Sequence, residues 1–470
     1  MATLKAPDAI DAKAKAKIVA TFEKYINKGQ VKYLKAGHLD VIEKERKGIN
    51  FVDPVSKRKM IDCFSSAGCF NVGRHNPVVM QALDEALNTL DMGNHHMVSK
   101  EKVAFAKKLV SIAPGDLNRV LFASGGGDAV EAAIKLARAA TGKKEIISTI
   151  KAYHGHTGFA LSANGKEHYR GYCEPLMPGF RFVDFNDLEA MKLVVGDNTA
   201  AIIVEPIQGE AGIFIGEPEY LKGLRKLCDE TGTLLIFDEI QTGFGRTGKM
   251  FALEHSCVIP DIMTVAKSIG GGLYPNAAVL YRDTEQLLNY VSANPDFHPS
   301  TTGGTDIGCA VSLKVVEYIE EHHLCQNSEQ MGARLKAALL QLKKDNPKII
   351  KDVRGIGLMV GIEYLHEFMG PMMSDALATQ GIFAAYSGNA PQVMRFMMPI
   401  TVSDQEMDQV IESINNAVAI MKRLLPLALP AAKIPIVLKL LNSEKVQTSL
   451  FGAIRVIEDG VKTVTNRFSR

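Results

Sequence analysis

Short apolar runs alternate with amphipathic helical patterns through the middle of the chain. Apolar positions at helical spacing predict helices over residues 129–140 and 218–231. Around them lie six apolar segments of strand length, at 119–123, 145–149, 200–205, 233–238, 262–266 and 277–281. Because strands that alternate with helices build sheets covered on both faces, the pattern predicts an α/β fold with a mostly parallel sheet between helices.

The flanking segments predict a second, smaller domain. Residues 12–36 have a helical pattern, 60–64 predict a strand, and 306–345 predict a long helical stretch. Later segments, at 353–364, 379–385, 393–398 and 404–424, predict a smaller α+β domain. We therefore expect an N-terminal segment packing with the small domain (1–62), a large cofactor-binding domain (63–310), a C-terminal small domain (311–424) and a C-terminal extension (425–470).

Two of the predicted strands stop abruptly on a charged residue. Thr-Leu-Leu-Ile-Phe-Asp ends at Asp238, and Asp-Ile-Met-Thr-Val-Ala-Lys ends at Lys267. Ligands of α/β proteins bind beyond the carboxyl ends of such strands. Pyridoxal 5'-phosphate needs a lysine for its Schiff base and an acid against its pyridine nitrogen, so the two residues predict this cofactor. Taken alone, they also fit a helix cap and a surface lysine.

Composition and charge argue against several other partners. The chain has 470 residues, is 46% apolar and 23% charged, and carries a net charge of +2, which gives no case for a nucleic acid. Its 12 His and 7 Cys lack C-x-x-C and H-E-x-x-H spacing, so no metal site is predicted. The N-terminus lacks the apolar core of an export signal, and no segment reaches the roughly 18 apolar residues of a membrane span. We expect a cytoplasmic protein without membrane contact.

Two further segments bring candidate cofactor-binding residues to strand ends. Residues 122–131 run from a strand through Gly126 and Gly127 into a helix, whose free amides suit an anion. Tyr153 and His154 follow the next strand, where an aromatic ring can stack on a flat cofactor. A Gly-rich turn and a polar loop with a half-buried tyrosine are the respective structural alternatives.

The remaining motifs are less specific one by one. Glu205 and Glu210 follow another predicted strand, where they could equally be solvated charges. The Gly-rich loop after Asp238 contains Gln241. Three glycines after Lys267 would permit a bound group to approach closely.

Together, the order and content of these segments resemble the class III (ω- or acetylornithine-type) aminotransferases, a branch of the fold type I pyridoxal-phosphate enzymes. The resemblance extends over about residues 50–420 and is most specific in 205–272. It implies an aminotransferase that moves an amino group from an amine or amino acid to a 2-oxo acid. It also implies a homodimer, with a tetramer as the alternative.

The resemblance implies a role for each residue around the cofactor. Lys267 matches the Schiff-base lysine, which also moves the substrate proton, and Asp238 matches the carboxylate on the pyridine nitrogen. Tyr153 matches the aromatic stacked on the ring. The other cofactor-binding candidates are His154, Glu205, Gln241, Gly126 and Gly127, together with Thr301, which family members lend to the neighbouring subunit's phosphate, or Thr302 if the register shifts by one.

Three residues are implied in substrate recognition. Arg395 matches the arginine that binds the substrate α-carboxylate, and Glu210 matches the glutamate that pairs with it when the substrate lacks that group. A retractable pair avoids leaving a buried charge unpaired. His156 stands where members that recognise a distal carboxylate carry an arginine, which favours pyruvate over 2-oxoglutarate as the acceptor.

Some departures and alternatives stay open. Asp128 and Gly127 differ from the Glu and the Ser, Thr or Ala that are usual in the family's phosphate loop. A lysine that returns the proton to the substrate carbon gives an amino-acid racemase or epimerase, and the motifs do not separate the two reactions. A cofactor-binding protein without catalysis is a third reading, which the intact Lys267 and Asp238 disfavour.

Overall fold

A computed structural model describes residues 10–36 and 40–432. Its strands are β1 (Glu45–Lys47), β2 (Asn50–Val52), β3 (Lys59–Asp62), β4 (Arg119–Ala123), β5 (Glu145–Thr149), β6 (Phe180–Val183), β7 (Thr199–Val204), β8 (Ile207–Gln208), β9 (Phe214–Ile215), β10 (Leu234–Asp238), β11 (Ile262–Val265), β12 (Ala277–Tyr281), β13 (Ile350–Ile356), β14 (Met359–Tyr364), β15 (Ile382–Phe383), β16 (Ala385–Tyr386) and β17 (Val393–Phe396). Its helices are α1 (Ala12–Tyr25), α2 (Lys28–Ala36), α3 (Ser65–Gly68), α4 (Pro77–Thr89), α5 (Lys100–Ile112), α6 (Gly126–Thr141), α7 (Gly158–Ser162), α8 (Glu167–Arg170), α9 (Leu188–Val194), α10 (Pro218–Thr231), α11 (Glu285–Ala293), α12 (Asp306–Glu321), α13 (Leu324–Asp345), α14 (Met369–Thr379) and α15 (Asp404–Ala432).

The large sheet confirms the predicted α/β fold. Its strand order is β4-β12-β11-β10-β7-β5-β6, and β12 runs antiparallel to its two neighbours while the other strands are parallel. Every residue of β7, β10, β11 and β12 is buried, which explains why these strands are continuous apolar runs. The carboxyl ends of β4, β5, β7, β10 and β11 therefore meet at one edge of the sheet.

Helix α6 covers one face of the large sheet. Seven of its residues are buried, and it packs against β7, β10, β11 and β12. Alanines supply four of these seven positions, so the helix backbone lies close to the strands. The first residues of α6 consequently project at the sheet edge where the parallel strands end.

Two smaller sheets lie outside the large one. Strands β13, β14, β17 and β16 form an antiparallel sheet. Strands β1, β2 and β3 form another with β15, in which Ile61 of β3 lies opposite Ile382 of β15 in a parallel pair. This pairing ties the N-terminal segment to the C-terminal part of the chain.

Three of the differences from the sequence prediction concern β6, the helical stretch at 306–345 and α15. β6 was not predicted, because its four residues include the exposed Arg181 and lie at the sheet edge. The predicted helical stretch at 306–345 is two helices, which separate where His323 adopts a left-handed φ of 51°. α15 runs across the predicted boundary between 424 and 425, and residues 433–470 of the predicted extension lie outside the described residues.

No helix within residues 10–36 and 40–432 is both long and apolar enough to cross a membrane.

Candidate active site

One cavity lies at the edge where the parallel strands of the large sheet end. It is lined by Gly126, Gly127, Tyr153, His154, Gly155, Glu205, Glu210, Asp238, Ile240, Gln241, Ala266 and Lys267. These residues come from the segments that follow β4, β5, β7, β10 and β11. The fold thus gathers nine of the predicted site residues from positions up to 141 residues apart (267 − 126 = 141).

Asp238 is the buried acid of the cavity. It ends β10 with 4% of its surface exposed, and its Oδ1 accepts the N–H of Ile240 at 3.0 Å and the Oγ1–H of Thr264 at 3.3 Å. Its Oδ2 lies 2.7 Å from Nδ1 of His154. Because an ionised carboxylate only accepts, this ring nitrogen carries the hydrogen. The carboxylate is therefore fixed in position by three donors.

Lys267 supplies the amine. It follows β11 and opens a short 3₁₀ turn, and its backbone adopts a left-handed φ of 49°. Its side chain lines the cavity, and among the described residues it makes no hydrogen bond or ion pair. A lysine with a free ammonium facing a cavity is available for a bound partner.

Gly126 and Gly127 begin α6 and line the cavity. The preceding Gly125 has no side chain to cap their amides. A Cβ on Gly127 would lie 3.1 Å from Oγ1 of Thr157, and a Cβ on Gly126 would lie 3.3 Å from methyl groups of Ile240. The glycines thus permit close packing, while the helix start leaves free amides for an anion.

Glu205 also lines the cavity and is buried. Its Oε1 accepts the N–H of Tyr153 at 3.0 Å, and its Oε2 accepts the N–H of Gly209 at 3.1 Å. Burial raises the pKa of Glu205 to about 7, with a further rise from Asp238, although His154 and the two amides oppose this. The carboxyl group fixes two loops of the site to each other.

Tyr153 presents an aromatic ring to the cavity. Burial, with the nearby charge of Glu210, raises the pKa of its hydroxyl to about 12. Its ring lies 5.4 Å from that of His156 and 5.5 Å from that of Tyr169, and those two rings are 5.6 Å apart. The three rings form an edge-to-face cluster beside the cavity.

Arg395 and Glu210 form a buried ion pair next to Tyr169. Arg395 Nη1 lies 2.6 Å from Glu210 Oε1, and the side chains are 3% and 16% exposed. Gly388 N–H donates to the other oxygen of Glu210 at 3.1 Å. Burial alone would raise the pKa of Glu210, but the Arg395 charge and these hydrogen bonds hold it below its usual value.

Four of the predicted site residues do not line the cavity, namely Arg395 and three others. Thr301 and Thr302 are exposed in the segment before α12, and His156 is exposed beside Tyr153. Gln241 does line it, and its Nε2–H donates to the carbonyl of Ala67 at 3.2 Å. The described part of the chain contains no group of three or more His, Cys, Asp or Glu that could hold a metal ion.

The composition of this cavity agrees with a family match over most of the chain. Residues 34–418 match the family described as aminotransferase class-III. The chain belongs to the class III aminotransferases. A protein of Archaeoglobus fulgidus named as an uncharacterized aminotransferase is 40% identical over 408 residues, which are 87% of this chain and 95% of the relative.

Two solved aminotransferases share the fold. The ornithine aminotransferase of Toxoplasma gondii, in a structure described with partial occupancy of pyridoxal phosphate, matches with a TM-score of 0.79 and 27% identity, over 86% of this chain and 94% of that one. An (S)-enantioselective ω-transaminase of Thermomicrobium roseum matches with a TM-score of 0.79 and 27% identity, over 86% and 98%. The fold is that of the fold type I pyridoxal-phosphate aminotransferases.

Class III aminotransferases use pyridoxal phosphate, and the cavity of this family member fits it chemically. A free amine, a buried carboxylate and the open start of a helix line the same space. His154, which lines the same cavity, has its Nε2 atom buried without a hydrogen-bond partner among the described residues.

Several residues in and beside the cavity of this aminotransferase were not predicted from the sequence. Gly155, Ile240 and Ala266 line the cavity, and each is adjacent in sequence to a predicted residue, which is the signal that could have found them. Tyr169 had no such signal, because it lies in α8, a helix of four residues that the pattern did not predict.

Proposed function

We propose that this class III aminotransferase transfers an amino group from an amine or amino acid to pyruvate in preference to 2-oxoglutarate. The observation that carries the proposal is the isolated Arg395–Glu210 pair beside an aromatic cluster. Pyruvate has one carboxylate and needs one arginine, whereas 2-oxoglutarate has two. None of the described residues that line the cavity is an arginine, and the side chain at the proposed second position is His156.

The proposed roles at the cofactor follow from the contacts of each residue. Pyridoxal phosphate, when bound, supplies an electron-withdrawing ring that stabilises negative charge on the substrate carbon. Asp238, held by three donors, would keep the ring nitrogen protonated, because an adjacent negative charge raises a cation's pKa. Tyr153 would stack on the ring, and Gln241 would lie at its phenolic oxygen. The amides of Gly126 and Gly127 would bind the phosphate.

Lys267 is the proposed catalytic base and acid. Its Nζ would hold the cofactor through the aldehyde that pyridoxal phosphate supplies. The same Nζ, when free, would act as the base and acid that moves the proton at the substrate carbon. Its lack of a competing partner among the described residues supports this role, because a lysine in an ion pair would have to break it first.

Arg395 and Glu210 would sort substrates by charge. A carboxylate that enters the pocket would replace Glu210 on Arg395, and an uncharged substrate would leave the pair closed. In both states the buried guanidinium keeps an anionic partner, so the pocket serves an amine and a 2-oxo acid in turn.

We further infer a cytoplasmic homodimer, with a tetramer as the alternative. The exposed positions of Thr301 and Thr302, away from the cavity of their own subunit, support a role at a partner's phosphate. Isologous dimers are also the commonest assembly.

The proposal is tested by supplying a panel of amino donors with either pyruvate or 2-oxoglutarate. We expect alanine to form with the larger kcat/KM, and faster formation of glutamate would reject the acceptor preference. Each donor is also incubated without an acceptor. Loss of its optical purity under that condition, without transfer to either acid, would replace transamination by racemisation.

A further inference from the structure

A histidine lies beneath the start of α6 and contacts two of its side chains. His298 Nε2 lies 2.9 Å from Asp128 Oδ1, and His298 Nδ1 lies 3.0 Å from Lys135 Nζ. Its side chain is 10% exposed. The two contacts bridge more than 160 residues of sequence, since His298 lies 170 residues from Asp128.

The chemistry of the two partners fixes the protonation of the ring. A lysine ammonium only donates hydrogen bonds, so Nδ1 of His298 must accept from Lys135. An ionised aspartate only accepts, so Nε2–H must donate to Asp128. His298 is therefore held as the neutral tautomer with its hydrogen on Nε2, and both of its polar atoms are engaged.

Asp128 in turn closes the turn that precedes α6. Its second oxygen, Oδ2, accepts the N–H of Ser124 at 2.9 Å and the Oγ–H of Ser124 at 2.8 Å. Gly126 and Gly127 lie between the two residues and line the cavity. The hydrogen bond from His298 is the chief reason that the pKa of Asp128 lies well below its usual range, so the carboxylate stays ionised.

The segment that carries His298 is itself pressed against β4. Ser300 Oγ accepts the N–H of Gly303 at 2.8 Å. A Cβ on Gly303 would lie 2.8 Å from the carbonyl carbon of Ala123, and one on Gly304 would lie 2.6 Å from Cβ of Phe122. The segment that carries His298 thus contacts both sides of the turn at 124–127. It packs closely against β4, which precedes the turn, and it contacts α6, which follows the turn, through His298.

We propose that His298 is a positioning residue that holds the glycine turn at 124–127 in the geometry that binds the cofactor's phosphate. The inference rests on the proposed function, because it takes that phosphate as the ligand of the turn. His298 does not line the cavity, so it acts through Asp128 rather than by contact. Preorganised amides bind an anion without the cost of ordering them.

The test compares pyridoxal phosphate with pyridoxal, which has the same ring and aldehyde but no phosphate. Apoenzyme is titrated with each, and binding is followed by absorbance of the bound ring. In His298→Ala we expect pyridoxal phosphate to bind about tenfold more weakly, the equivalent of one hydrogen bond to a charged group. Pyridoxal should bind within about twofold of the wild type, since the ring and Lys267 are not altered.

Two variants keep the test decisive if His298→Ala folds poorly. His298→Gln retains an N–H donor for Asp128 and should recover most of the phosphate-dependent affinity. Lys135→Met removes the partner that fixes the tautomer, and we expect it to weaken binding of pyridoxal phosphate selectively. His255→Ala is the control, because His255 also makes a hydrogen bond, to Thr247 at 3.0 Å, in another part of the chain.

The outcomes separate this inference from the proposed function. Equal weakening of both ligands would mean that His298 only stabilises the fold, and unchanged affinity for both would remove its role altogether. Either result overturns the inference. A wild-type protein that binds pyridoxal phosphate no better than pyridoxal would instead refute the assignment of the phosphate site itself.

Discussion

Glu210→Gln is the substitution that most directly tests how the site distinguishes charged from uncharged substrates. In the proposed switch, a carboxylate has to displace Glu210 from Arg395, and that contact is a charge-assisted hydrogen bond of 2.6 Å between side chains that are 3% and 16% exposed. Such a bond contributes about 1.5–3 kcal/mol. Glutamine has the same shape but no charge, so it competes less strongly for the guanidinium.

We expect Glu210→Gln to raise kcat/KM for one of two matched amino donors and to lower it for the other. Alanine and isopropylamine differ only by a carboxylate in place of a methyl group. With Glu210→Gln, alanine should gain about tenfold in kcat/KM, because about 1.4 kcal/mol less is needed to free Arg395. Isopropylamine should lose about as much, because it leaves the buried Arg395 without an anion.

The assay measures kcat/KM for both amines in the wild type and the variant, with saturating 2-oxobutyrate as the acceptor, because pyruvate is itself the product of alanine. Glu363→Gln is the matched control: Glu363 Oε2 also lies 2.6 Å from an arginine, Arg354, but neither residue lines the cavity. That control should leave the ratio of kcat/KM for alanine to kcat/KM for isopropylamine unchanged. If this ratio is unchanged or falls in Glu210→Gln, the proposed switch between Arg395 and Glu210 is refuted.

Substitutions at three other places test the remaining parts of the site. His156→Arg places a cation at the aromatic cluster, and we expect it to raise kcat/KM for 2-oxoglutarate relative to pyruvate by about tenfold, whereas His168→Arg on exposed α8 should not. Glu205→Gln tests how the ionisation of Glu205 affects stability. Burial raises the pKa of Glu205 from 4.5 to about 7, so between these pH values the folded wild type holds a proton that the unfolded chain releases. The free energy of unfolding of the wild type should therefore fall as pH rises from 4.5 to about 7. In urea unfolding, the difference in the free energy of unfolding between the wild type and Glu205→Gln should change by up to about 3 kcal/mol from pH 4.5 to 7. A difference that stays constant over this range would contradict the prediction. Thr301→Ala or Thr302→Ala should weaken the binding of pyridoxal phosphate, measured by titration of the apoenzyme, and full affinity in both variants would exclude that segment from the phosphate site.

Most of the large sheet was predictable because β7, β10, β11 and β12 are buried on both faces. Where both faces are covered, the strand is a continuous apolar run, and a charged residue marks its end. This is why the strand end at Asp238 was placed correctly. The edge strand β6 lacks that signature, since Arg181 interrupts it.

Breaks and contacts that depend on tertiary structure were not predictable. The turn between α12 and α13 has no Gly or Pro, and it forms where His323 takes a left-handed conformation, which is uncommon for a residue other than glycine. Tyr169 joins the site through contacts with rings of another loop. His298 contacts Asp128 although the two are 170 residues apart in sequence, and at that separation the spacing of residues does not predict a contact.

Transfer of labelled nitrogen tests the proposed reaction most directly. The wild type and Lys267→Ala, each supplied with pyridoxal phosphate, are incubated with ¹⁵N-labelled amino acids and primary amines and with unlabelled pyruvate. We predict ¹⁵N-alanine by mass spectrometry from the wild type, little ¹⁵N-glutamate when 2-oxoglutarate replaces pyruvate, and no product from Lys267→Ala. Interconversion of amino-acid enantiomers with all ¹⁵N retained on the donor would contradict transamination.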